Sequence, residues 1–288
     1  MSRMVRVAAA QYAPVVGEVE ANRAAAVAWT GRAAAAGADL IVLPELASSG
    51  YVFNDENEAQ RASEEADGPL AAALGDVCAR SGCYVVCGVN ERSAEARYNS
   101  ALLLGPSGLI ATYRKVHLFH DEQSWFAAGD ELPLVELPFG NVGIIVCFDM
   151  WFPEPARALA LAGADIIAAP TNWVASFKRT VYDDRGYVQG DYVLMATAAQ
   201  NGVVTVAADR VGVERGTRFL GASIIVGADG WPLAGPASSD GDELLLADVD
   251  LDSVAAARQR TPRNHLLGDR RPASYRVRRL PLRTPTPA

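Results

Sequence analysis

The sequence predicts an α/β protein, in which short buried strands alternate with helices. Residues 6–11 and 39–44 are apolar, strand-like runs, and the alanine-rich stretch 18–36 between them is typical of a helix that ends at Gly37. A strand, a helix and a strand at this spacing form a βαβ unit, whose two strands are parallel and covered by helices. Of the 288 residues, 50% are hydrophobic, which allows a large core.

The same alternation continues along the rest of the chain. Further helices are predicted at residues 56–65, 69–80, 156–162, 191–200 and 252–259. Further strands are predicted at residues 83–89, 98–104, 109–113, 134–137, 142–146, 165–169, 203–207, 219–226 and 243–249. Two hairpins are expected, one turning at residues 105–108 and the other at residues 139–141. The sequence contains no linker or short repeat, so we expect one domain over residues 1–288, with an extended arginine- and proline-rich tail from about residue 261.

The charge and composition of the chain argue against several classes of protein. A formal net charge of −8 disfavours a nucleic-acid or acidic-membrane partner. No apolar run has the length of a membrane span, and the first residues lack the apolar segment of a signal peptide, so we expect a cytoplasmic protein. Cys78, Cys83 and Cys87 form no Cys-x-x-Cys pair and lie far in sequence from the histidines, which disfavours a metal site. We expect these cysteines to lie in the core.

One stretch in the second half combines a buried strand with a reactive side chain. Residues 143–146 have the β-branched pattern of a covered strand, Cys147 follows them, and Pro153 stands where a first helical turn tolerates proline. A thiol at this position is expected to face a crevice, where backbone N–H groups stabilise a thiolate and hold an oxyanion. The alternative interpretation of Cys147 is a small buried hydrophobic residue.

Three chemically capable side chains occupy equivalent places in this pattern. Glu45, Lys115 and Cys147 each come just after a predicted strand. The ligand crevice of such sheets lies outside the strand ends, so we expect the three side chains to meet there. Cys147 would attack an electrophilic carbon, and Glu45 would move the thiol proton to the leaving nitrogen. Lys115 and the Phe148 backbone N–H would stabilise the oxyanion. Taken singly, Glu45 could be a cap or turn residue and Lys115 a solvated surface charge.

Three segments around these side chains occur in a characteristic order. They are Leu43-Pro44-Glu45-Leu46, Tyr113-Arg114-Lys115-Val116-His117-Leu118-Phe119 and Cys147-Phe148-Asp149-Met150-Trp151-Phe152-Pro153-Glu154. They resemble the glutamate, lysine and cysteine motifs of the nitrilase, or carbon–nitrogen hydrolase, superfamily, and the resemblance covers essentially the whole chain. It implies a four-layer αββα sandwich and subunits that pair through helices near the nucleophile, hence a homodimer or higher homo-oligomer. It also implies hydrolysis of a non-peptide C–N bond through a cysteine thioester, with no metal or organic cofactor.

The resemblance also points to residues around these three side chains. A second glutamate is expected to position groups in the pocket, and Glu122 occupies that place, although a surface loop charge is the alternative. Tyr51, Asn172 and Trp173 match family positions that line the pocket. The alternative for Tyr51 and Trp173 is ordinary aromatic packing without substrate contact.

The residues that follow the nucleophile bear on the substrate. Family members that hydrolyse nitriles typically carry tryptophan and glutamate there, whereas Phe148 and Asp149 resemble the amidase and carbamoyl-amide branches. Trp173 and Phe177 indicate an apolar wall, and the charged run at residues 178–185 is interpreted as a solvated face. We therefore expect an amidase that releases ammonia from a small carboxamide. N-carbamoyl-amine or nitrile hydrolysis by the same site is the alternative within the family; a non-catalytic binding protein or a redox thiol protein is the alternative outside that chemistry.

Overall fold

Two six-stranded sheets pack face to face within residues 3–175 and 181–279, the part of the chain that the computed structural model describes. The strands are β1 (Met4–Gln11), β2 (Leu40–Val42), β3 (Tyr84–Arg92), β4 (Arg97–Gly105), β5 (Gly108–Arg114), β6 (Leu134–Leu137), β7 (Gly140–Ile144), β8 (Ile166–Pro170), β9 (Val204–Ala208), β10 (Val211–Glu214), β11 (Thr217–Leu220), β12 (Ile224–Val226), β13 (Pro232–Ala234), β14 (Glu243–Asp250), β15 (Gln259–Thr261) and β16 (Asn264–His265). Phe177, Lys178 and Arg179, to which the sequence assigned an apolar wall and a solvated face, lie outside the described residues.

Helices connect and cover these strands. The α-helices are α1 (Val19–Ala35), α2 (Glu56–Arg61), α3 (Pro69–Ser81), α4 (Glu122–Trp125), α5 (Pro153–Ala162), α6 (Gln189–Asn201) and α7 (Asp252–Arg258). Single 3₁₀ turns span Cys147–Trp151 and Pro272–Ser274. No helix within the described ranges is long and apolar enough to cross a membrane.

Each sheet has parallel strands at its centre and antiparallel strands toward its edges. The order is β14-β1-β2-β3-β4-β5 in the first sheet and β13-β12-β9-β8-β7-β6 in the second. Strands β1, β2 and β3 are parallel, as are β7, β8 and β9. Because β1 and β2 are parallel neighbours joined through α1, the predicted βαβ unit is confirmed.

The helices and sheets form four layers. Strand β1 packs on β9, and β2 packs on β8 and β9, so the two sheets share one face. Helices α1 and α3 cover the outer face of the first sheet, and α5 and α6 cover the second. Side chains alternate between these layers: Leu40 and Val42 lie in the core between the sheets, whereas Ile41 and Leu43 pack toward α1 and α3. The predicted αββα sandwich is confirmed.

The structure corrects two predictions about strands. Leu137 pairs with Gly140, so the second hairpin turns at Pro138 and Phe139 rather than at residues 139–141. The single strand predicted at residues 219–226 is two strands, because Gly221 and Ala222 have φ values of +64° and +61°. These left-handed conformations break an extended run and send β11 and β12 into different sheets.

The arginine- and proline-rich tail, predicted to be extended from about residue 261, begins with a short hairpin. Strands β15 and β16 pair antiparallel. The Asp269 carboxylate closes this turn, since its Oδ2 accepts from Asn264 Nδ2 at 3.1 Å and from the His265 backbone N–H at 3.0 Å. A 3₁₀ turn at Pro272–Ser274 follows.

Candidate active site

Three side chains predicted from the sequence meet where strands of both sheets end. Glu45 comes after β2, Lys115 after β5 and Cys147 after β7. Strand β5 runs in the direction of β2, because two successive antiparallel pairings lead from β3 through β4 to β5. Glu45 and Lys115 therefore reach the same edge of the first sheet, and both lie near enough to Cys147 in the second sheet to alter the pKa of its thiol.

The Lys115 ammonium lies between two carboxylates. Its Nζ donates to Glu45 Oε1 at 2.7 Å and lies 2.8 Å from the carboxylate of Glu122. All three side chains are buried, Glu122 included, so the interpretation of Lys115 or Glu122 as a solvated charge is wrong. Burial lowers the pKa of Lys115, but the charges of Glu122 and Glu45 outweigh it and hold the pKa well above its ordinary value. The amine is thus a fixed cation with a third N–H left for another acceptor.

The two oxygens of Glu45 have different surroundings. Oε1 accepts from Lys115 Nζ and from Asn99 Nδ2, both at 2.7 Å. Oε2 is buried and has no hydrogen-bond partner within residues 3–175 and 181–279. Burial raises the pKa of Glu45, and the charge of Lys115 and the hydrogen bonds offset only part of that rise. A carboxylate with one hydrogen-bonded oxygen, one buried oxygen that has no partner in the described ranges and a raised pKa is suited to take up and return a proton.

Cys147 lies on a strained turn beside this carboxylate. Its φ is +46°, in the left-handed region that L side chains disfavour, and it begins a 3₁₀ turn that precedes α5. Burial and the Glu45 charge raise the pKa of Cys147, whereas Lys115 and the Asn172 backbone N–H oppose the rise. The sequence-based expectation of a stabilised thiolate is therefore wrong. A raised pKa disfavours the thiolate, so the Cys147 thiol needs a base to become nucleophilic.

Asp149 joins the turn of the nucleophile to the loop after Lys115. Its Oδ2 accepts from the Val146 backbone N–H at 2.9 Å and from the Tyr113 hydroxyl at 2.6 Å. Its Oδ1 accepts from the His117 backbone N–H at 3.0 Å and lies 2.8 Å from the His117 ring. Because Asp149 is fully buried and bonded to both segments, it fixes Cys147 relative to the strand that carries Lys115.

Tyr51 supports Glu122 rather than lining the main cavity. Its hydroxyl donates to Glu122 Oε1 at 2.7 Å. The Tyr51 backbone is held in turn by Glu214, whose Oε2 accepts from the N–H groups of Tyr51 at 2.9 Å and Val52 at 2.7 Å. Arg210 pairs with the same carboxylate at 3.1 Å. Sequence analysis assigned no role to Glu214, Arg210 or Asn99. Their bonds to Tyr51, Pro14 and Glu45, respectively, join residues distant in sequence, so only their polar side chains could have indicated a role.

Cys147 opens into a mostly apolar cavity of about 490 Å³. Three predicted residues, Phe148, Asn172 and Trp173, line it, whereas Tyr51 borders a neighbouring cavity of about 240 Å³ together with Glu122. His120 and Cys147 are the only ionisable side chains among the described lining residues, which are Leu118, Phe119, His120, Gln123, Cys147, Phe148, Trp151, Asn172, Trp173, Val174 and Gln189.

Asn172 ties the two sheets together, since its Nδ2 donates to the Glu45 carbonyl at 2.8 Å. In the part of the chain that the structure describes, no group of three or more His, Cys, Asp or Glu side chains is arranged to hold a metal ion.

Comparison with known proteins agrees with this geometry. Residues 6–259 match the family model described as carbon-nitrogen hydrolase. The chain is 38% identical over 274 residues to a protein named nitrilase from Pyrococcus abyssi, which covers 94% of this chain and 99% of that protein. It is 30% identical over 277 residues to an N-carbamoylputrescine amidase of Arabidopsis thaliana, with 90% of each covered. The crystal structure of an amidase from Nesterenkonia sp. matches it with a TM-score of 0.76 and 26% identity over 94% of each chain. The chain therefore belongs to the carbon–nitrogen hydrolase, or nitrilase, superfamily, in its amidase-like branch.

Proposed function

We propose that this chain hydrolyses a small neutral carboxamide and releases ammonia through a thioester on Cys147. The observation that carries the proposal is the buried cluster of Glu45, Lys115 and Glu122 beside a thiol that opens into an apolar cavity. A thiol nucleophile, an adjacent base and a fixed cation are the groups that acyl transfer requires.

In the proposed acylation step, the Cys147 sulfur attacks the amide carbon while Glu45 Oε2 takes the thiol proton. Because the pKa of the thiol is raised, this transfer has to accompany the attack. The negative charge moves to the carbonyl oxygen, where the third N–H of Lys115 and the Phe148 backbone N–H stabilise it. Glu45 then gives the proton to the nitrogen, the C–N bond breaks, and ammonia leaves the acyl group on sulfur.

Water completes the cycle in the proposed deacylation step. Glu45 takes a proton from the water while the water oxygen attacks the thioester carbon. The C–S bond breaks, sulfur recovers the proton, and a carboxylic acid is released. The Glu122 carboxylate lies 2.8 Å from Lys115 Nζ and keeps Lys115 charged and oriented through both steps. The Tyr51 hydroxyl holds Glu122 in place.

The described cavity wall favours an acyl group without charge. Among its residues only His120 and Cys147 are ionisable, so the wall offers no carboxylate for an ammonium group. An N-carbamoyl diamine, the substrate class in the name of the Arabidopsis relative, carries an ammonium at its far end, which is costly to bury without a partner. A neutral aliphatic or aromatic carboxamide incurs no such cost.

Ammonia release from matched carboxamides, N-carbamoyl amines and nitriles tests the proposal. We expect release from carboxamides by the wild type, none with Cys147→Ala, and a Cys147 acyl adduct in rapidly quenched samples examined by mass spectrometry. Release from only carbamoyl compounds or only nitriles would reject the carboxamide and retain the site. Failure of a folded wild-type protein to release ammonia from any member of the panel would reject the proposed activity.

We also propose that the chain acts as a homodimer, or higher homo-oligomer, that pairs through α5 and α6. Leu161 of α5 and Tyr192 of α6 are each 47% exposed, which is a large apolar exposure on two adjacent helices. Light scattering should give at least twice the mass of one chain for the wild type and a lower mass for Leu161→Glu.

The cytoplasmic location stays a prediction of the sequence.

A further inference from the structure

We propose that Gly190 sets the position of the Trp173 indole and thereby limits the bulk of the acyl group that Cys147 accepts. The proposal rests on the proposed carboxamide hydrolysis and assigns a determinant of its specificity. Gly190 is the second residue of α6 and is not itself part of the cavity wall.

The contact between Gly190 and Trp173 leaves no space for a side chain. A Cβ placed on Gly190 would lie 2.7 Å from indole Cε2, 2.7 Å from Cζ2 and 2.9 Å from Cη2. Carbon atoms in ordinary contact are about 3.5–4.0 Å apart, so the ring would have to move by roughly 1 Å. Gly190 needs no left-handed backbone, since it is absent from the positive-φ residues, so the requirement for glycine here is one of space.

The backbones on both sides of this contact are fixed. The Trp173 N–H donates to Asp209 Oδ1 at 2.9 Å, and the Trp173 carbonyl accepts from the Leu220 N–H at 2.9 Å. On the other side, Asp191 Oδ2 accepts from the Val188 N–H at 2.9 Å and anchors the first turn of α6. A clash at Gly190 is therefore relieved by the indole side chain and not by the main chain.

The indole has a direction in which to move. Trp173 packs on Gly190 and also lines the cavity, so displacement away from α6 carries the ring toward the cavity. The indole N–H is buried and has no hydrogen-bond partner in the described ranges, so no polar contact there resists the shift. Because Cys147, Asn172 and Trp173 line the same cavity, the displaced ring would narrow the space beside the first carbons of the acyl chain.

Gly190→Ala tests the proposal through the ratio of kcat/KM for isobutyramide to kcat/KM for acetamide. In a primary carboxamide all the bulk lies in the acyl group, so this ratio reports the space near the nucleophile. We expect it to fall at least tenfold, since one methylene group misplaced in an apolar pocket typically changes kcat/KM by about 10–200-fold. Gly31→Ala is the matched control, because Gly31 lies inside α1 and a Cβ there meets nothing within 4 Å. An unchanged ratio in folded Gly190→Ala would overturn the proposal.

A second substitution separates the steric contact from general damage to α6. In Gly190→Ala/Trp173→Leu the three indole carbons that meet the new Cβ are gone, so the ratio should recover to at least the wild-type value. A ratio that stays low would mean that Gly190 acts on the site without Trp173, and would reject the proposal. If Gly190→Ala does not fold, Trp173→Leu alone should raise the ratio, and a lack of any rise would reject the indole as the limit.

Failure of this inference differs from failure of the proposed function. If the wild-type protein hydrolyses no carboxamide, the function fails whatever Gly190 does. The wall is then tested by alkylation of Cys147, comparing iodoacetamide with a bulkier 2-bromoalkanamide. Gly190→Ala should slow the bulkier reagent selectively, and equal slowing of both would reject the inference.

Discussion

The two sides of the candidate active site have opposite chemical character. The side built on the first sheet carries Glu45, Lys115 and Glu122, three charged side chains that are buried and in contact. The side built on the second sheet presents the thiol of Cys147 among aromatic rings, Phe148 and Trp173 among them. In the proposed mechanism the proton carrier and the cation therefore belong to the first side, and the nucleophile and the rings of Phe148 and Trp173 in the acyl pocket to the second.

This division explains why the packing of the sheets matters for the chemistry. Neither sheet holds all the groups that the proposed mechanism uses, so the proposed reaction depends on how the two sheets are held together. Asp149 supplies one link, between the Cys147 turn and the loop after Lys115. Asn172 supplies another, through its bond to the Glu45 carbonyl. Substitutions on the first side should affect proton and charge chemistry, whereas those on the second should affect which acyl groups are accepted.

Removing the base or the nucleophile should have the largest effect. Cys147→Ala leaves no atom to form the thioester and should abolish turnover. Glu45→Gln keeps the shape of the side chain but cannot take the thiol proton, so we expect a loss of at least about 10²–10⁴-fold in kcat. Ammonia release measures both, with circular dichroism and the melting temperature as controls for folding. Substantial turnover by either folded variant would remove that residue from its assigned role.

Replacing the cation should come next. In Lys115→Arg a planar guanidinium has to occupy a fully buried site shaped for a compact ammonium, 2.7 Å from Glu45 and 2.8 Å from Glu122. We expect kcat/KM to fall by about 10²–10³-fold, the usual effect of losing an oxyanion donor. Arg114→Lys is the matched control. Arg114 directly precedes Lys115 in the chain, and its side chain pairs with Glu91 and is partly exposed. Near-normal activity of Lys115→Arg would contradict the oxyanion role.

The sequence was most informative where chemistry and local structure coincide. Glu45, Lys115 and Cys147 each stand just past a strand of recognisable pattern, and the direction of those strands brings them together. Pro153 and Gly163 likewise mark the ends of α5, because proline suits a first helical turn and Gly163 adopts a left-handed conformation. These features depend on neighbours in the chain, which the sequence displays directly.

The sequence was least informative where contacts are distant or a backbone conformation is unusual. Asn99 bonds to Glu45 across 54 positions of sequence, and an asparagine in a strand gives no sign of such a partner. The break between β11 and β12 includes Ala222 at φ +61°, a conformation that alanine does not suggest. The pKa of Cys147 was misjudged for a similar reason, since it depends on burial and on a carboxylate 102 positions earlier in the chain.

Asn99, which the sequence did not single out, should tune the pH dependence. Glu45, the proposed base, can accept a proton only when it is ionised, so activity should fall as pH drops through its pKa. Burial raises that pKa, and the hydrogen bond from Asn99 lowers it. Asn99→Leu removes the lowering effect, so the acid limb of the kcat/KM profile should move to higher pH, with most of the activity recovered above it. Asn141→Leu is the control, and its profile should not move. The Asn141 side-chain amide donates to the Gly163 carbonyl at 3.1 Å, outside the site. An unmoved limb in Asn99→Leu would mean that another group governs it.

The smallest effect is expected on the aromatic side. A substitution there is the sharpest test of the division between a charged side and an aromatic side of the site. The Phe148 ring lines the cavity and packs edge-on against Phe119 and Phe152, with ring centres 5.1 Å and 5.3 Å apart. Phe148→Leu keeps the backbone N–H assigned to the oxyanion and removes only part of the apolar wall. We expect KM for carboxamides to rise a few-fold, kcat to stay within a few-fold, and the acid limb of the pH profile to stay in place. A fall in kcat of about 100-fold at unchanged KM would instead show that this side of the cavity contributes to the charge chemistry, because only lost transition-state stabilisation gives that pattern.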